Sequence, residues 1–313
     1  MKSSVLVRRI AHTVFKTCLN VRSRERVLIV TDSSMMQIAK LLFKAAKLVA
    51  SDVELITMKP TGRDGKEPPP AVARAMQTAD VVLIPTTYSL SHTRARAAAC
   101  AAGARIASMP RIPMPSLTKG GLTADYGRVK KLCRRMKKAV TGSKEIRVVS
   151  PKGTDVNFSV RGRKWHDDEG EMHRPGQWGN LPAGEVSTAP VEGTANGRIV
   201  FDYFGVYGKN VWLEVKRGLA TETNSRRLKQ TFKRLGKKAR VIADIGIGAN
   251  PNARVIGNVL EDEKAYGIVH IALGNNTELG GKNYVQLHVD GIIEKPTLIV
   301  DGKILIKDGE WRI

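Results

Sequence analysis

The stretch Val27-Leu-Ile-Val-Thr31, followed by Asp32-Ser33-Ser34, decides the fold of the first part of the chain. A short run of aliphatic and β-branched residues is typical of a strand. Asp32 and the two serines are residue types that cap a helix, and a helical pattern follows over residues 35–49. We therefore predict a strand that leads directly into a helix whose capped start is suited to an anion.

The same alternation continues outward from this strand. Predicted strands and helices alternate up to residue 109. The strands are Val53–Met58, Val81–Pro85 and Arg105–Met109, and the helices between them are Ala71–Gln77 and His92–Ala102. Strands separated by helices predict a parallel sheet with right-handed crossovers. No Gly-x-Gly-x-x-Gly follows the first strand, so a nucleotide cofactor is not indicated. We predict a Rossmann-like α/β N-terminal domain over residues 1–140, which ends in a basic helix at 126–141.

Strands dominate the sequence from Ile146 onward, with one amphipathic helix predicted between Thr223 and Leu235. The predicted strands cover residues 146–150, 156–160, 199–204, 211–216, 241–245, 269–273, 285–289 and 297–300. Runs of strands with an isolated helix predict an α+β C-terminal domain over residues 141–313.

The composition limits the classes of function. The chain has 313 residues, a formal net charge of +23 and 5% aromatic residues. The charge attracts anions, but no basic stripe with interleaved aromatic residues is present, so nucleic acid is a possible partner that the sequence does not favour. No apolar run reaches about 18 residues and no signal peptide is evident, so we expect a cytoplasmic protein without a membrane span.

Two histidines and an aspartate predict a metal centre in the C-terminal domain. His288-Val-Asp290 lies in a strand pattern, and the period of two puts both polar side chains on one face. His270 lies in the apolar run Val269–Leu273, where an imidazole must find a partner. Imidazole and carboxylate ligands suit several divalent first-row metals, so we predict that His270, His288 and Asp290 bind such an ion.

Three further carboxylates are candidates for the same site. Glu185 ends the proline- and glycine-containing segment Asn180-Leu-Pro-Ala-Gly-Glu185, which is typical of a fixed functional loop. Asp244 precedes a glycine-rich loop after a strand. Glu263, in Glu261-Asp-Glu-Lys264, is either a ligand or part of a solvated acidic turn.

Ligands of open α/β sheets gather at the carboxyl ends of the strands. His92 follows the third predicted strand through a loop rich in hydroxyl groups, and Asn180 begins the segment that carries Glu185. We expect His92 and Asn180 to bind the substrate.

The order of several motifs resembles one known family. The motifs are Asn180-Leu-Pro-Ala-Gly-Glu-Val186, Ile245-Gly-Ile-Gly-Ala-Asn-Pro251, Glu261-Asp-Glu-Lys264, His270-Ile-Ala-Leu-Gly274 and His288-Val-Asp290, and in the first half Glu67-Pro-Pro69, Ala79-Asp-Val-Val82, Pro85–Thr93 and Gly153-Thr-Asp155. Over nearly the whole chain they look like the short bacterial and archaeal relatives of the aminopeptidase T family of metallo-aminopeptidases.

This resemblance implies a metal-dependent hydrolase that removes N-terminal residues from peptides, active as a homodimer. It implies a site of Zn, Co or Mn held by Glu185, Asp244, Glu263, His270, His288 and Asp290. In such a site the metal ions generate hydroxide from water, and Glu185 and Asp244 are the expected catalytic carboxylates.

Three positions depart from the pattern of the larger peptidases. A single acid, Glu185, follows Gly184 where they have two acids, and Thr277 stands where they carry a tyrosine. Asp244 is one methylene shorter than their bridging glutamate, and a shortened bridge puts the second ion in doubt.

Two alternatives remain open. The same fold resembles 2,5-dihydroxypyridine dioxygenase, in which one Fe(II) ion is held by two histidines and one aspartate. His270, His288 and Asp290 match that triad. The third hypothesis is a non-enzymatic basic binding protein on the same scaffold. The sequence does not indicate which peptide or small molecule is the substrate.

Overall fold

The computed structural model describes residues 3–313. The chain forms two compact units, Met1–Lys130 with Asp168–Ala183, and Lys131–Asp167 with Gly184–Ile313. The strands, in chain order, are β1 Arg26–Asp32, β2 Asp52–Met58, β3 Val81–Ile84, β4 Arg105–Ser108, β5 Glu145–Val149, β6 Asp155–Ser159, β7 His166–Asp168, β8 Trp178–Asn180, β9 Glu185–Thr188, β10 Asn196–Phe204, β11 Gly208–Lys216, β12 Leu219–Thr223, β13 Ile242–Gly248, β14 Val269–Gly274, β15 His288–Ile293, β16 Thr297–Val300, β17 Lys303–Lys307 and β18 Glu310–Trp311. The α-helices are α1 Ser3–Ile10, α2 Met36–Ala46, α3 Pro70–Gln77, α4 Arg94–Ala101, α5 Met114–Thr118, α6 Tyr126–Val140, α7 Arg226–Leu235 and α8 Val259–Asp262.

The first unit contains a five-stranded sheet in the order β2-β1-β3-β4-β8, and each pairing in it is parallel. Strand β1 is buried along almost its whole length, as its aliphatic sequence requires. Asp32 ends this strand and accepts hydrogen bonds from the Ser34 amide and from Thr87. The capping pattern therefore fixes a strand-to-helix turn, and the predicted parallel α/β sheet is confirmed.

One hydrophobic core lies on the β1–β3–β4 part of this sheet. Leu28, Val82 and Ile106 from neighbouring strands pack in it with Val72 and Met76 of α3. The β-branched and aliphatic residues of the strands supply one side of the core, and the amphipathic face of the helix supplies the other.

The second unit contains an antiparallel sheet of 13 strands, in the order β18-β17-β16-β5-β6-β10-β15-β14-β13-β9-β7, with β11 and β12 branching from β10. Helix α7 is capped by Ser225, whose hydroxyl accepts a hydrogen bond from the Leu228 amide, and it buries Leu228 and Phe232. A large strand-rich unit with isolated helices agrees with the second half of the predicted fold class.

Two local differences from the sequence-based elements have physical reasons. Strand β8, which the sequence analysis missed, is three residues long and has no apolar run, but its backbone pairs with β4 at the edge of the parallel sheet. The strand predicted at 285–289 begins instead at His288, because Asn276 and Asn283 bond to each other and hold the preceding segment as a loop.

The predicted boundary at residue 140 stays a prediction, and the compact units place Asp168–Ala183 with the first part of the chain. Within residues 3–313, every helix is too short or too polar to cross a bilayer.

Candidate metal centre

The candidate ligands lie on four neighbouring strands of the antiparallel sheet. In sheet order these are β15, β14, β13 and β9. They carry, respectively, His288 with Asp290, His270, Asp244 and Glu185. Side chains two residues apart share a face, and the Nε2 atom of His288 lies 3.3 Å from the Oδ1 atom of Asp290. The His-x-Asp prediction of one shared face is therefore correct.

Small residues stand opposite the candidate ligands and give them room. The register pairs Gly246 with His270, Gly274 with His288 and Gly248 with Glu185, and it pairs Ala272 with Asp290. A Cβ atom at Gly246 would lie 2.0 Å from the His270 ring, so only glycine leaves space for the imidazole there. The space that the candidate ligands occupy above the sheet thus depends on glycine and alanine residues, which have no ligand atoms in their side chains.

Asp244 lies where the ladder between β13 and β14 is irregular. The register shifts between Ile242 and Ile245, and such irregularities redirect side chains near functional sites. Asp244 is 2% exposed, and its carboxylate lies 3.9 Å from the Nε2 atom of His270 and 3.4 Å from the Nε2 atom of His288. Its position makes it the innermost carboxylate between the two imidazoles.

The donor atoms converge closely enough for one ion. One ligand atom from each of Asp244, His270 and Asp290 falls within 4.8 Å of the others. The Nδ1 atom of His270 is 3.8 Å from the Oε2 atom of Glu185. Ligands at about 2.0–2.2 Å from one metal stand roughly 3–3.5 Å apart, so small side-chain movements would complete the coordination.

Buried donor atoms without protein partners point into this space. The Nδ1 atom of His270, the Oδ1 atom of Asp244 and the Oε2 atom of Glu185 are buried and form no hydrogen bond with the residues that the structure describes. Buried polar atoms of this kind need a partner, and a cation beside the cluster would neutralise its buried carboxylates. The donor set therefore fits a divalent metal.

A backbone contact orients the outer histidine. The Nδ1 atom of His288 lies 2.8 Å from the carbonyl oxygen of Asn275, which is a hydrogen-bond acceptor. The Nδ1–H group therefore donates, and this directs Nε2 at Asp244 and Asp290. This is how metal-binding histidines are commonly held.

Burial and the charges of neighbouring groups together shift the pKa values of the cluster. Burial raises the pKa of Asp244 to about 6 and that of Glu263 to about 7. Burial acts against the charged imidazoles, but Glu185 and Asp290 still raise the pKa of His270, and Asp290 and Asp244 raise that of His288 well above its usual value. Burial also opposes ionisation of Asp290, yet His288 lowers its pKa. The region attracts positive charge, as a cation site must.

A buried lysine that was not predicted from the sequence lies in this cluster. The ammonium group of Lys264 lies 2.7 Å from the Oε1 atom of Glu185 and 2.8 Å from the Oε1 atom of Glu263. Residues 261–264 are at most 7% exposed, so the solvated-turn interpretation of Glu261–Lys264 is wrong. A lysine next to acidic residues reads as surface sequence, and only its burial reveals its role.

His92 and Asn180 belong to the first unit. His92 precedes α4 and contacts the Trp178 ring edge-on, at 6.1 Å between ring centroids. Asn180 ends β8 beside Ser108 at the carboxyl edge of the parallel sheet. Its side-chain oxygen is buried and accepts no hydrogen bond from the described residues. Their substrate-binding roles stay predictions.

The strands and the donor set together define a class of protein: one with two units and a candidate metal centre of nitrogen and oxygen ligands. The sequence profile of the 2,5-dihydroxypyridine 5,6-dioxygenase family matches residues 7–312. The chain belongs to this family.

Individual relatives agree with this assignment. The chain is 25% identical over 264 residues to the 2,5-dihydroxypyridine 5,6-dioxygenase of Pseudomonas putida, covering 77% of this chain and 73% of the relative. The solved dioxygenase structure from P. putida KT2440 superimposes with a TM-score of 0.82 at 20% identity, over 99% of this chain and 98% of that one. Wild-type AmpT from Thermus thermophilus superimposes with a TM-score of 0.73 at 18% identity, over 99% of this chain and all of that one (100%). At these identities the two structures show a shared fold.

The family assignment corrects the main functional prediction. The expected metallo-aminopeptidase, and with it the description as a hydrolase or protease, is wrong, because the matching profile and the curated relative are those of a dioxygenase. The resemblance to aminopeptidase T holds for the fold. The motifs led to the wrong reaction because a similar set of imidazoles and carboxylates suits metal-dependent hydrolysis as well as oxygen chemistry.

Proposed function

We propose that this protein is an Fe(II)-dependent dioxygenase that opens the ring of a dihydroxylated pyridine. The observation that carries the proposal is the convergence of His270, Asp290 and Asp244, whose ligand atoms lie within 4.8 Å of one another, in a chain that belongs to a dioxygenase family. His288 adjoins this group, with its Nε2 atom 3.3 Å from Asp290. Two histidines with one carboxylate are the usual ligands of non-haem iron in oxygenases.

In this proposal His270, His288 and Asp290 hold the metal. When bound, a ferrous ion would hold dioxygen and the ring together and relay electrons from the ring to the oxygen, with no net change in the iron. The Nε2 atoms of His270 and His288, which both face Asp244, and the hydrogen bond that orients His288 support these assignments. The predicted Zn, Co or Mn is replaced by Fe(II) for this chemistry.

The buried carboxylates would handle protons of the substrate. Asp244, with a pKa raised by burial to about 6, has a buried Oδ1 atom that can accept a proton from a ring hydroxyl group. The exposed side of the cluster is at His288, whose side chain is 35% exposed, whereas that of His270 is 5% exposed. A substrate would therefore enter beside His288, with Asp244 beneath it.

Oxygen consumption tests the proposal. The protein is loaded anaerobically with Fe(II), mixed with 2,5-dihydroxypyridine and oxygen, and followed by an oxygen electrode and by loss of the ring absorbance. We expect one oxygen molecule per ring and a loss of at least about 100-fold in kcat/KM for His270→Ala or Asp290→Ala, because each removes a metal ligand.

His166→Ala is the matched control, since it removes an exposed histidine outside the cluster and should retain activity. Full activity in His270→Ala would reject the site. Absence of oxygen uptake with each dihydroxypyridine isomer, despite bound iron, would reject the reaction and favour a binding function.

We further propose, from the resemblance, that the protein is a homodimer, which sedimentation equilibrium tests directly. A small aromatic substrate replaces the peptide in the expected partners. Nucleic acid stays a partner that the sequence permits and does not favour.

A further inference from the structure

We propose that the ammonium group of Lys264 occupies the position of a second metal ion and thereby limits the centre to one ion per chain. This inference rests on the proposed metal centre and adds the residue that sets its stoichiometry. It begins from the burial of Lys264, which is 0% exposed in the second unit.

The carboxylate of Glu185 has two separate neighbours. Its Oε1 atom contacts the Lys264 ammonium at 2.7 Å, and its Oε2 atom lies 3.8 Å from the Nδ1 atom of His270. One carboxylate therefore lies between the fixed ammonium group and the His270 ring, which borders the candidate metal position. In two-metal sites a carboxylate commonly spans two ions about 3.5–4 Å apart in the same manner.

Glu263 supplies a second carboxylate to the ammonium group. Its Oε1 atom lies 2.8 Å from Nζ of Lys264. Two carboxylate oxygens at hydrogen-bond distance compensate the charge of a buried ammonium group. In this arrangement Glu185 and Glu263, which the sequence analysis expected to bind metal, are counter-ions of Lys264.

The backbone holds the lysine in this position. The Lys264 amide donates to the carbonyl group of Glu261, and the Lys264 carbonyl accepts a hydrogen bond from the Asn250 amide. At Gly248 a Cβ atom would lie 2.0 Å from the Ala265 carbonyl oxygen, so glycine allows this segment to approach β13. The ammonium group is therefore fixed by the fold.

The charges explain why a second ion is excluded. Glu185, Asp244, Glu263 and Asp290 together carry four negative charges when ionised, enough to balance two divalent ions. Lys264 places a positive charge on two of these carboxylates, and a divalent ion there would meet like-charge repulsion and lose those oxygens. Removing the ammonium group returns both carboxylates to metal binding.

Metal counting tests the inference without measuring activity. The purified full chain is dialysed against excess Mn(II), and bound metal is measured by elemental analysis. We expect one ion per chain in the wild type and in Lys237→Ala, an exposed control in the same unit, and two ions per chain in Lys264→Ala. Addition of Mn(II) should also raise the melting temperature of Lys264→Ala more than that of the wild type, because metal replaces the lost counter-ion.

A folded Lys264→Ala chain with one ion would overturn the inference, as would two ions in the wild type. If Lys264→Ala fails to fold, electron paramagnetic resonance of the Mn(II)-saturated wild type decides. An isolated-ion spectrum supports the inference, and a spin-coupled pair overturns it. A wild-type chain that binds no ion refutes the proposed metal centre itself, an outcome distinct from an incorrect stoichiometry.

Discussion

The substitution Gly246→Ala should weaken metal binding while the protein stays folded. A Cβ atom at this position would lie 2.0 Å from the Cε1 atom and 2.3 Å from the Nε2 atom of His270. Carbon atoms in contact are ordinarily about 3.5–4.0 Å apart, so the ring must withdraw by about 1.5 Å. Since ligand distances in metal sites vary by only about 0.2 Å, the imidazole would leave the coordination shell.

The two effects are similar in free energy but act on different equilibria, metal binding and folding. Loss of the His270 ligand should weaken metal binding at least about 100-fold, which corresponds to about 2.8 kcal/mol. The crowding itself should lower the free energy of unfolding by about 1–3 kcal/mol, the range for an added methyl group in a packed interior. The variant should therefore stay folded while its metal affinity falls.

Two measurements on the same samples check this expectation. Isothermal titration with Co(II) gives the metal affinity, and urea denaturation of the metal-free protein gives the free energy of unfolding. Gly179→Ala is the matched control, because a Cβ atom on that strand glycine would meet no described atom closer than 3.5 Å. Unchanged metal affinity in Gly246→Ala would refute the argument that this glycine makes room for the imidazole.

Two predictions concern pH. Burial opposes protonation of His288, but Asp290 and Asp244 raise the pKa of the imidazole, so metal must displace a proton from it. Co(II) affinity should fall about tenfold per pH unit below that raised value, and a pH-independent affinity would contradict this. Although burial acts in the opposite direction, Arg105 lowers the pKa of Glu25 from its ordinary value of 4.5. The ion pair therefore stabilises the fold above pH 4.5 and loses this effect as pH falls through the lowered value. Glu25→Gln should cost about 1–3 kcal/mol at pH 7 in urea denaturation, with a smaller difference from wild type at pH 3, and an equal difference at both pH values would reject the assignment.

The sequence predicted the elements of the parallel sheet because each strand is a short aliphatic run. β1 and β3 agree with their predicted bounds to within a residue. β8 escaped prediction because its stability comes from backbone pairing with β4 and from no apolar pattern of its own. Pairing partners distant in sequence are not encoded in local periodicity.

The same limit applies to the candidate site. The residue types of His270, His288 and Asp290 indicated metal binding without any structure. The space provided by Gly246 and the burial of Lys264 depend on the register of neighbouring strands, which no spacing in the sequence indicates.

The reaction was harder to predict than the site. Both families suggested by the motifs share this fold, with TM-scores of 0.82 and 0.73. Imidazole and carboxylate ligands serve both chemistries, so the ligands alone could not separate ring cleavage from peptide hydrolysis.

Because the donors come from β9, β13, β14 and β15, the site spans residues 185–290 of the chain. During synthesis on the ribosome, Asp290 emerges last and joins the sheet only after the earlier strands exist. A nascent chain therefore offers no complete binding site to a metal ion until Asp290 has joined the sheet. Which metal ion binds in the cell would then depend on the folded site and on the metal ions available to the folded chain.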